Sequence, residues 1–134
     1  MDKMTSDRMI CYYRLSSEDV DIARGNAAES FSIAAQRLCV QNFLASRPDL
    51  EGTVEEIVDD GYTGTNMNRP GMQRLLSLVK SGSAKTVIVR DLSRFSRNFL
   101  EGGHYLEFVF PAYGVRFISI NDHFDTIDPN STDN

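Results

Sequence analysis

Residues 86–98 read TVIVRDLSRFSRN, a short β-branched run that stops at three arginines, Arg90, Arg94 and Arg97. Four residues of threonine, valine and isoleucine describe a buried strand. Charge and serine then break the apolar pattern, so the arginines stand just past the strand. Arginine offers a permanent charge and a planar fork of donors that fits phosphate oxygens in pairs. Several of them around one hydroxyl point to chemistry at a phosphodiester. The segment YYRLS supplies the hydroxyl, because Ser16 follows a fourth arginine, Arg14, by two residues.

The strand signature recurs at residues 9–14 (MICYYR), 54–58 and 115–120, with helical periodicity between the runs. From Ser32 the apolar residues Ile33, Val40, Phe43 and Leu44 fall near one face, Ser30 or Ser32 is available as N-cap, and Pro48 forbids continuation. Met72, Leu75, Leu76 and Val79 repeat at i, i+3, i+4 and i+7 behind Pro70, with Gly82 as the stop. Leu106, Val109, Phe110 and Tyr113 do the same before Gly114, with Pro111 awkwardly in or after the last turn. Strands alternating with helices predict an α/β fold, a mainly parallel sheet of four to five strands with helices on both faces. In such sheets ligands bind beyond the carboxyl ends of the strands. Ser16, the loop at 61–71, residues 90–97 and residues 121–125 then open on one edge.

Arg14 and Ser16 project from one face of an extended segment, where a guanidinium could hold a phosphate against the hydroxyl. A lone strand-end serine more often satisfies a backbone group, and the arginine beside it changes that balance. To act as a nucleophile the serine needs its proton removed and the charge on phosphorus stabilised. If Ser93 or Ser96 starts a helix, Arg94 and Arg97 lie on one side of its first turn, where free N–H groups favour an anion; otherwise they form a solvated face with Arg90 or Asp91 as ordinary partners. Arg69, in NRPG, reads as the anchor of its own turn. Gln36 either is an exposed helix former or, if buried, holds the phosphate or positions Ser16. His123 lies between Asp122 and Asp125 without a second histidine at ligand spacing, so it reads as a turn residue, and His104 carries no motif. The glycine signatures of hydrolase elbows, phosphate loops and dinucleotide folds are absent from the sequence.

With 134 residues, 41% of them hydrophobic, the chain suits one domain with a real core. A net charge of −5 argues against non-specific coating of nucleic acid, so any DNA contact is local or supplied by another part of the protein. Cys11 and Cys39 form neither a disulfide framework nor a zinc spacing, and fit a reducing compartment. The sequence lacks an apolar run of about 18 residues, which predicts a soluble, intracellular protein. Residues 17–29 and 61–71 have the composition of mobile loops, and 128–134 that of a fraying tail.

Five segments occur in order between about residues 9 and 126. They are Tyr12-Tyr13-Arg14-Leu15-Ser16; Ser32-Ile33-Ala34-Ala35-Gln36; Asp59-Asp60-Gly61-Tyr62-Thr63-Gly64-Thr65 with Arg69-Pro70-Gly71; Val89-Arg90-Asp91-Leu92-Ser93-Arg94-Phe95-Ser96-Arg97-Asn98; and Gly114-Val115-Arg116-Phe117-Ile118-Ser119. They resemble the motifs Y-x-R-V-S, S-I-x-x-Q, D-G-Y-S-G-T with D-R-P-G, V-K-D-L-x-R-x-x-R-[ND] and G-V-x-F-x-S of the serine site-specific recombinases, the resolvase and invertase superfamily. The flavour is that of the large serine recombinases of mobile elements. The resemblance implies a resolvase-like catalytic domain in which Ser16 is the nucleophile, Arg14, Arg69, Arg94 and Arg97 bind the scissile phosphate and Gln36 assists, with no metal or cofactor. Ser93 stands where many small resolvases carry aspartate, so a carboxylate role there is absent or has moved to Asp91. Asn68 replaces the usual aspartate before Arg69.

The implied reaction is transesterification. Ser16 attacks a DNA phosphodiester, forms a 5′-phosphoserine link and releases a 3′-hydroxyl, and the steps reverse after strand exchange. The implied partners are double-stranded DNA at specific recombination sites and, in the full-length protein, further copies of the chain as a homodimer and a synaptic homotetramer. No membrane is involved and the location is the cytoplasm. Residues 1–8 are then an N-terminal tail, 9–126 the catalytic domain and 127–134 a disordered tail or truncated linker, in an isolated domain that binds DNA weakly and can be monomeric. Two rival readings are a catalytically silent α/β interaction module and a phosphoryl hydrolase.

Overall fold

A computed structural model describes residues 7–16 and 32–127. The loop expected at 17–29, most of the N-terminal tail and the tail at 128–134 lie outside the described residues. The elements in chain order are β1 (Met9–Leu15), α1 (Ile33–Ala45), β2 (Val54–Asp60), α2 (Pro70–Lys80), β3 (Thr86–Val89), α3 (Leu92–Phe95), α4 (Phe99–His104), a π-helical turn (Tyr105–Val109), α5 (Phe110–Ala112), β4 (Arg116–Ser119) and β5 (Phe124–Asp125). The sheet has five strands in the order β2-β1-β3-β4-β5. Strands β1 to β4 run parallel and β5 returns antiparallel to β4, so the expected fold class holds.

The central strands β1 and β3 are buried at nearly every position because the sheet is covered twice. Ile10 and Tyr12 of β1, Val87 and Val89 of β3 and Phe117 of β4 meet Met72, Leu75, Leu76 and Val79 of α2 in one core. Met9, Cys11, Tyr13, Ile88 and Ile118 meet Val40, Ile33, Phe43 and Leu44 of α1 in the other. A repeat of two sends neighbours to opposite faces, and only a doubly covered sheet accepts both sets. Burial, with Glu56 adding to it, pushes the Cys11 thiol up to about 12, so it packs as a protonated hydrophobe.

Local chemistry sets the ends of the helices. Ser32 caps α1, its hydroxyl accepting from Ala35 N at 3.1 Å. The proline at 111 is accommodated by a wider turn, in which the Phe110 N–H donates to the Tyr105 carbonyl five residues back. Proline has no N–H to give, and in a regular turn its ring would press on the carbonyl of Glu107; the extra residue relieves this. At the far edge, Arg116 holds Asp125 through two bonds of 2.9 and 2.6 Å and so secures β5.

Candidate active site

The carboxyl ends of β1, β2 and β3 build the site. Ser16 closes β1 and is buried, 4% exposed. Gly61 N and Tyr62 N both donate to the Leu15 carbonyl, at 2.6 and 3.3 Å, which folds the 61–71 loop back against the end of β1. Gln36, on α1, is fully buried, and its amide brackets Arg14: the Arg14 N–H donates to Oε1 at 3.1 Å and Nε2 donates to the Arg14 carbonyl at 2.9 Å. Of the two alternatives for Gln36, exposed or buried, the structure shows the buried one, bonded to the strand end before Ser16.

Arg14, Arg69 and Arg94 are all buried, at 0%, 1% and 1% exposure. Arg14 donates through Nε to the Arg94 carbonyl at 3.1 Å, through Nη1 to the Tyr62 carbonyl at 3.1 Å and through Nη2 to the Ser93 carbonyl. Arg94 returns the contact, Nη1 donating to the Arg14 carbonyl at 2.7 Å. Arg69 donates to the Asn66 carbonyl at 2.9 Å, the Tyr12 hydroxyl at 2.7 Å and the Phe95 carbonyl at 2.6 Å, with longer contacts to the Arg94 carbonyl at 3.4 Å and the Met67 sulfur at 3.5 Å. It therefore anchors its turn, as the sequence suggested, and also ties that turn to α3. Buried cations are costly unless they are hydrogen-bonded, so three in one connected cluster concentrate positive charge at this edge.

The expectation for Arg94 and Arg97 needs correction. Neither Ser93 nor Ser96 starts a helix; α3 begins at Leu92 after Asp91 and ends at Phe95, and Ser96 is extended. The two arginines share no helical face. Phe95 packs edge-on against Phe117 and Tyr105 and so anchors the end of α3, which turns Arg94 inward and leaves Arg97 exposed. The Arg97 N–H donates to the Gly64 carbonyl at 2.7 Å, so the loop still meets the arginine segment.

The sequence alone does not mark Asp59 as a site residue, since it is one of two adjacent aspartates at a strand end. It is buried, 2% exposed. Its carboxylate accepts from the Tyr12 hydroxyl at 2.7 Å, Gly71 N at 2.8 Å and Met72 N at 2.9 Å. Burial raises the Tyr12 pKa, the Arg69 charge opposes this and the bond to Asp59 adds to it. The phenol stays protonated, able to donate to Asp59 while it accepts from Arg69. A signal was present in the sequence: Pro70 at the first helical position needs an external acceptor for the N–H groups that follow it.

Asp122 accepts from Leu92 N at 2.7 Å and the Ser119 hydroxyl at 2.6 Å, which serves the start of α3. His123 sits in a turn with φ 53°, and among the described residues no group of three His, Cys, Asp or Glu could hold a metal ion. No described helix is long and apolar enough to cross a membrane.

A mainly parallel sheet that gathers a buried serine and three buried arginines at its carboxyl edge defines an α/β domain built around a cationic site. The sequence matches the family described as "Resolvase, N terminal domain" over residues 9–133, and the chain belongs to that family. The fold is similar to the N-terminal catalytic domain of TP901-1 integrase, with a TM-score of 0.72 and 25% identity over 93% of this chain and 85% of that one. It is also similar to a serine recombinase from Sulfolobus solfataricus, with a TM-score of 0.57 and 26% identity over 84% of this chain and 67% of that one. A first open reading frame of transposon ISC1904 from Sulfolobus solfataricus P2 gives a TM-score of 0.56 and 25% identity over 92% and 73%. No curated protein matches the sequence. The domain is a serine recombinase catalytic domain of a kind found in mobile elements.

Gly64 makes this geometry testable. A Cβ there would lie 2.7 Å from Arg14 Nη2 and 2.8 Å from Arg14 Cζ. The side chain must move, because the loop backbone is held by Arg97. Gly64→Ala is expected to cost about 1–3 kcal/mol of stability by overpacking and to slow DNA cleavage by about 10²-fold by displacing Arg14. Melting and single-turnover cleavage measure the two effects. Unchanged cleavage in the variant would show that the placement of Arg14 is immaterial.

Proposed function

We propose that this domain cuts and rejoins DNA at specific recombination sites through a covalent 5′-phosphoserine formed at Ser16. The attack of the Ser16 oxygen on phosphorus breaks the bond to the 3′ oxygen, which leaves as a hydroxyl after taking up a proton; one phosphoester replaces another, so the reaction consumes no nucleotide. Arg14, Arg94 and Arg97 face the scissile phosphate, Arg69 holds the turn and the α3 end that carry them and contributes to the same field, and Gln36 fixes the end of β1. The observation that carries the reading is the cluster of three buried guanidinium groups at the strand end occupied by the buried serine. Their donors rest mostly on backbone carbonyls of the 61–71 loop, of α3 and of β1, and DNA phosphate would exchange for some of these acceptors as the loop shifts. Preorganised charge of this kind favours a transition state in which charge grows on phosphate oxygens.

The working form in this proposal is a DNA-bound homodimer that pairs into a synaptic homotetramer in the cytoplasm, with 9–126 as the catalytic unit. Phe99, Leu100 and Phe108, exposed at 90%, 82% and 63%, support a second copy of the chain as the protein partner, since exposed apolar side chains grouped on one helical run suit a protein contact.

The intact protein, incubated with supercoiled plasmids carrying the genomic segments that flank its coding region, is expected to become attached to DNA 5′ ends. Mass spectrometry of the digested adduct is expected to place the phosphate on Ser16. A folded protein that forms no adduct would favour a silent interaction module. Turnover of small phosphate esters without an adduct would favour a hydrolase.

A further inference from the structure

Arg94 is buried, yet the residue before it is a serine, so its counter-charge must come from elsewhere. The Ser93 hydroxyl accepts from Arg94 Nε at 3.3 Å and Nη2 at 3.2 Å, and donates to Asp91 Oδ1. Asp91 Oδ1 itself stands 3.6 Å from Arg94 Nε, beyond a good hydrogen bond, and Asp91 Oδ2 accepts from Arg90 Nε at 3.0 Å. We infer that Asp91 is a positioning residue for Arg94 that acts through the Ser93 hydroxyl, the pair doing in two steps what an aspartate directly before the arginine would do in one. The inference rests on the proposed role of Arg94 at the scissile phosphate.

A hydroxyl has one proton and two lone pairs. With its proton drawn to the Asp91 carboxylate, both lone pairs are left for the guanidinium. Asp91 fixes that orientation, and the chain of bonds polarises the serine oxygen toward Arg94. Burial opposes ionisation of Asp91, but the Ser93 hydroxyl and the Arg94 and Arg90 charges outweigh it and hold the carboxyl below its ordinary value, so it is charged at neutral pH. Ser93 also passes order to the nucleophile's strand. Its carbonyl accepts from Arg14 Nη2 while Arg94 Nη1 holds the Arg14 carbonyl at 2.7 Å, two residues before Ser16. An Arg94 released from Ser93 loses the contacts made by its Nε and Nη2 to that hydroxyl.

The test uses the intact protein, saturating plasmid carrying the flanking segments, and single-turnover rates of 5′ adduct formation, with melting temperatures alongside. Asp91→Asn and Ser93→Ala are each expected to slow the adduct by about 10²-fold, the scale of a displacement near 1 Å. Ser93→Thr, which keeps the hydroxyl, is expected to stay near wild type. The double variant Asp91→Asn/Ser93→Asp, which moves the carboxylate to the position beside Arg94, is expected to recover to within about tenfold of wild type. A role in stability alone predicts no such recovery. A folded Asp91→Asn at the wild-type rate overturns the inference, as does a folded double variant as slow as Asp91→Asn. If Asp91→Asn fails to fold, the serine variants decide, and equal rates for Ser93→Ala and Ser93→Thr overturn it. A folded wild type without adduct fails the recombinase reading itself and takes the inference with it.

Discussion

Ser16→Ala is expected to abolish the DNA adduct, lowering its rate of formation by at least about four orders of magnitude, while the protein melts within about 1 kcal/mol of wild type. Ser16 is buried at the end of β1, and alanine keeps its Cβ and loses one oxygen. The bonds described for Arg14 and Arg94 end on other atoms. Arg14 rests on the carbonyls of Arg94, Tyr62 and Ser93, and Arg94 rests on the carbonyl of Arg14. The charge that attracts DNA therefore survives, so binding to the plasmid is expected to persist when cleavage has gone. Binding, adduct yield and melting measured on one preparation separate the three effects. An adduct formed at the wild-type rate by a folded Ser16→Ala would transfer the nucleophile to another side chain.

Much of this arrangement is legible in the chain because burial is periodic. The strand runs at 9–15, 86–89 and 116–119 carry apolar residues on both parities, which only a doubly covered sheet can use, and α2 follows from four apolar residues at helical spacing behind Pro70. The parallel order then brings Ser16, the 61–71 loop and the arginine segment to one edge. What escapes the sequence is set by contacts between distant residues. Whether Arg94 and Arg97 share a face depends on where Phe95 finds its aromatic neighbours. Whether Gln36 is buried depends on α1 lying over the end of β1. Asp59 and Asp60 are alike in sequence, yet one is buried and the other exposed because strand parity turns only Asp59 toward α2 and Tyr12.

That parity makes Asp59→Ala the most destabilising single change expected in the described site. Pro70 brings no N–H to the first turn of α2, and the next two N–H groups, Gly71 and Met72, both end on the Asp59 carboxylate. The N-cap residue, Arg69, makes no side-chain capping bond, so the carboxylate lent by β2 serves as the cap. Gly71 is glycine for the same reason: a Cβ there would stand 2.8 Å from both Asp59 Oδ2 and Ile57 Cγ2. Alanine at 59 strands these two N–H groups and the Tyr12 hydroxyl, and Tyr12 in turn loses its hold on Arg69, a buried cation. A lost cap, unsatisfied buried donors and a poorly compensated charge together point to about 3–5 kcal/mol, or roughly 15 °C in melting temperature. Asp59→Asn keeps one acceptor oxygen and most of the shape, so it is expected to cost about half as much. Below its melting temperature it is still expected to cleave about 10²-fold more slowly, because the chain from carboxylate through phenol to guanidinium no longer fixes Arg69. Melting curves and cleavage rates for the two variants read these effects separately. An Asp59→Ala protein that melts within about 2 °C of wild type would show that the carboxylate does not hold α2, and an Asp59→Asn protein with wild-type cleavage would show that Arg69 is placed without the link from Asp59 through Tyr12.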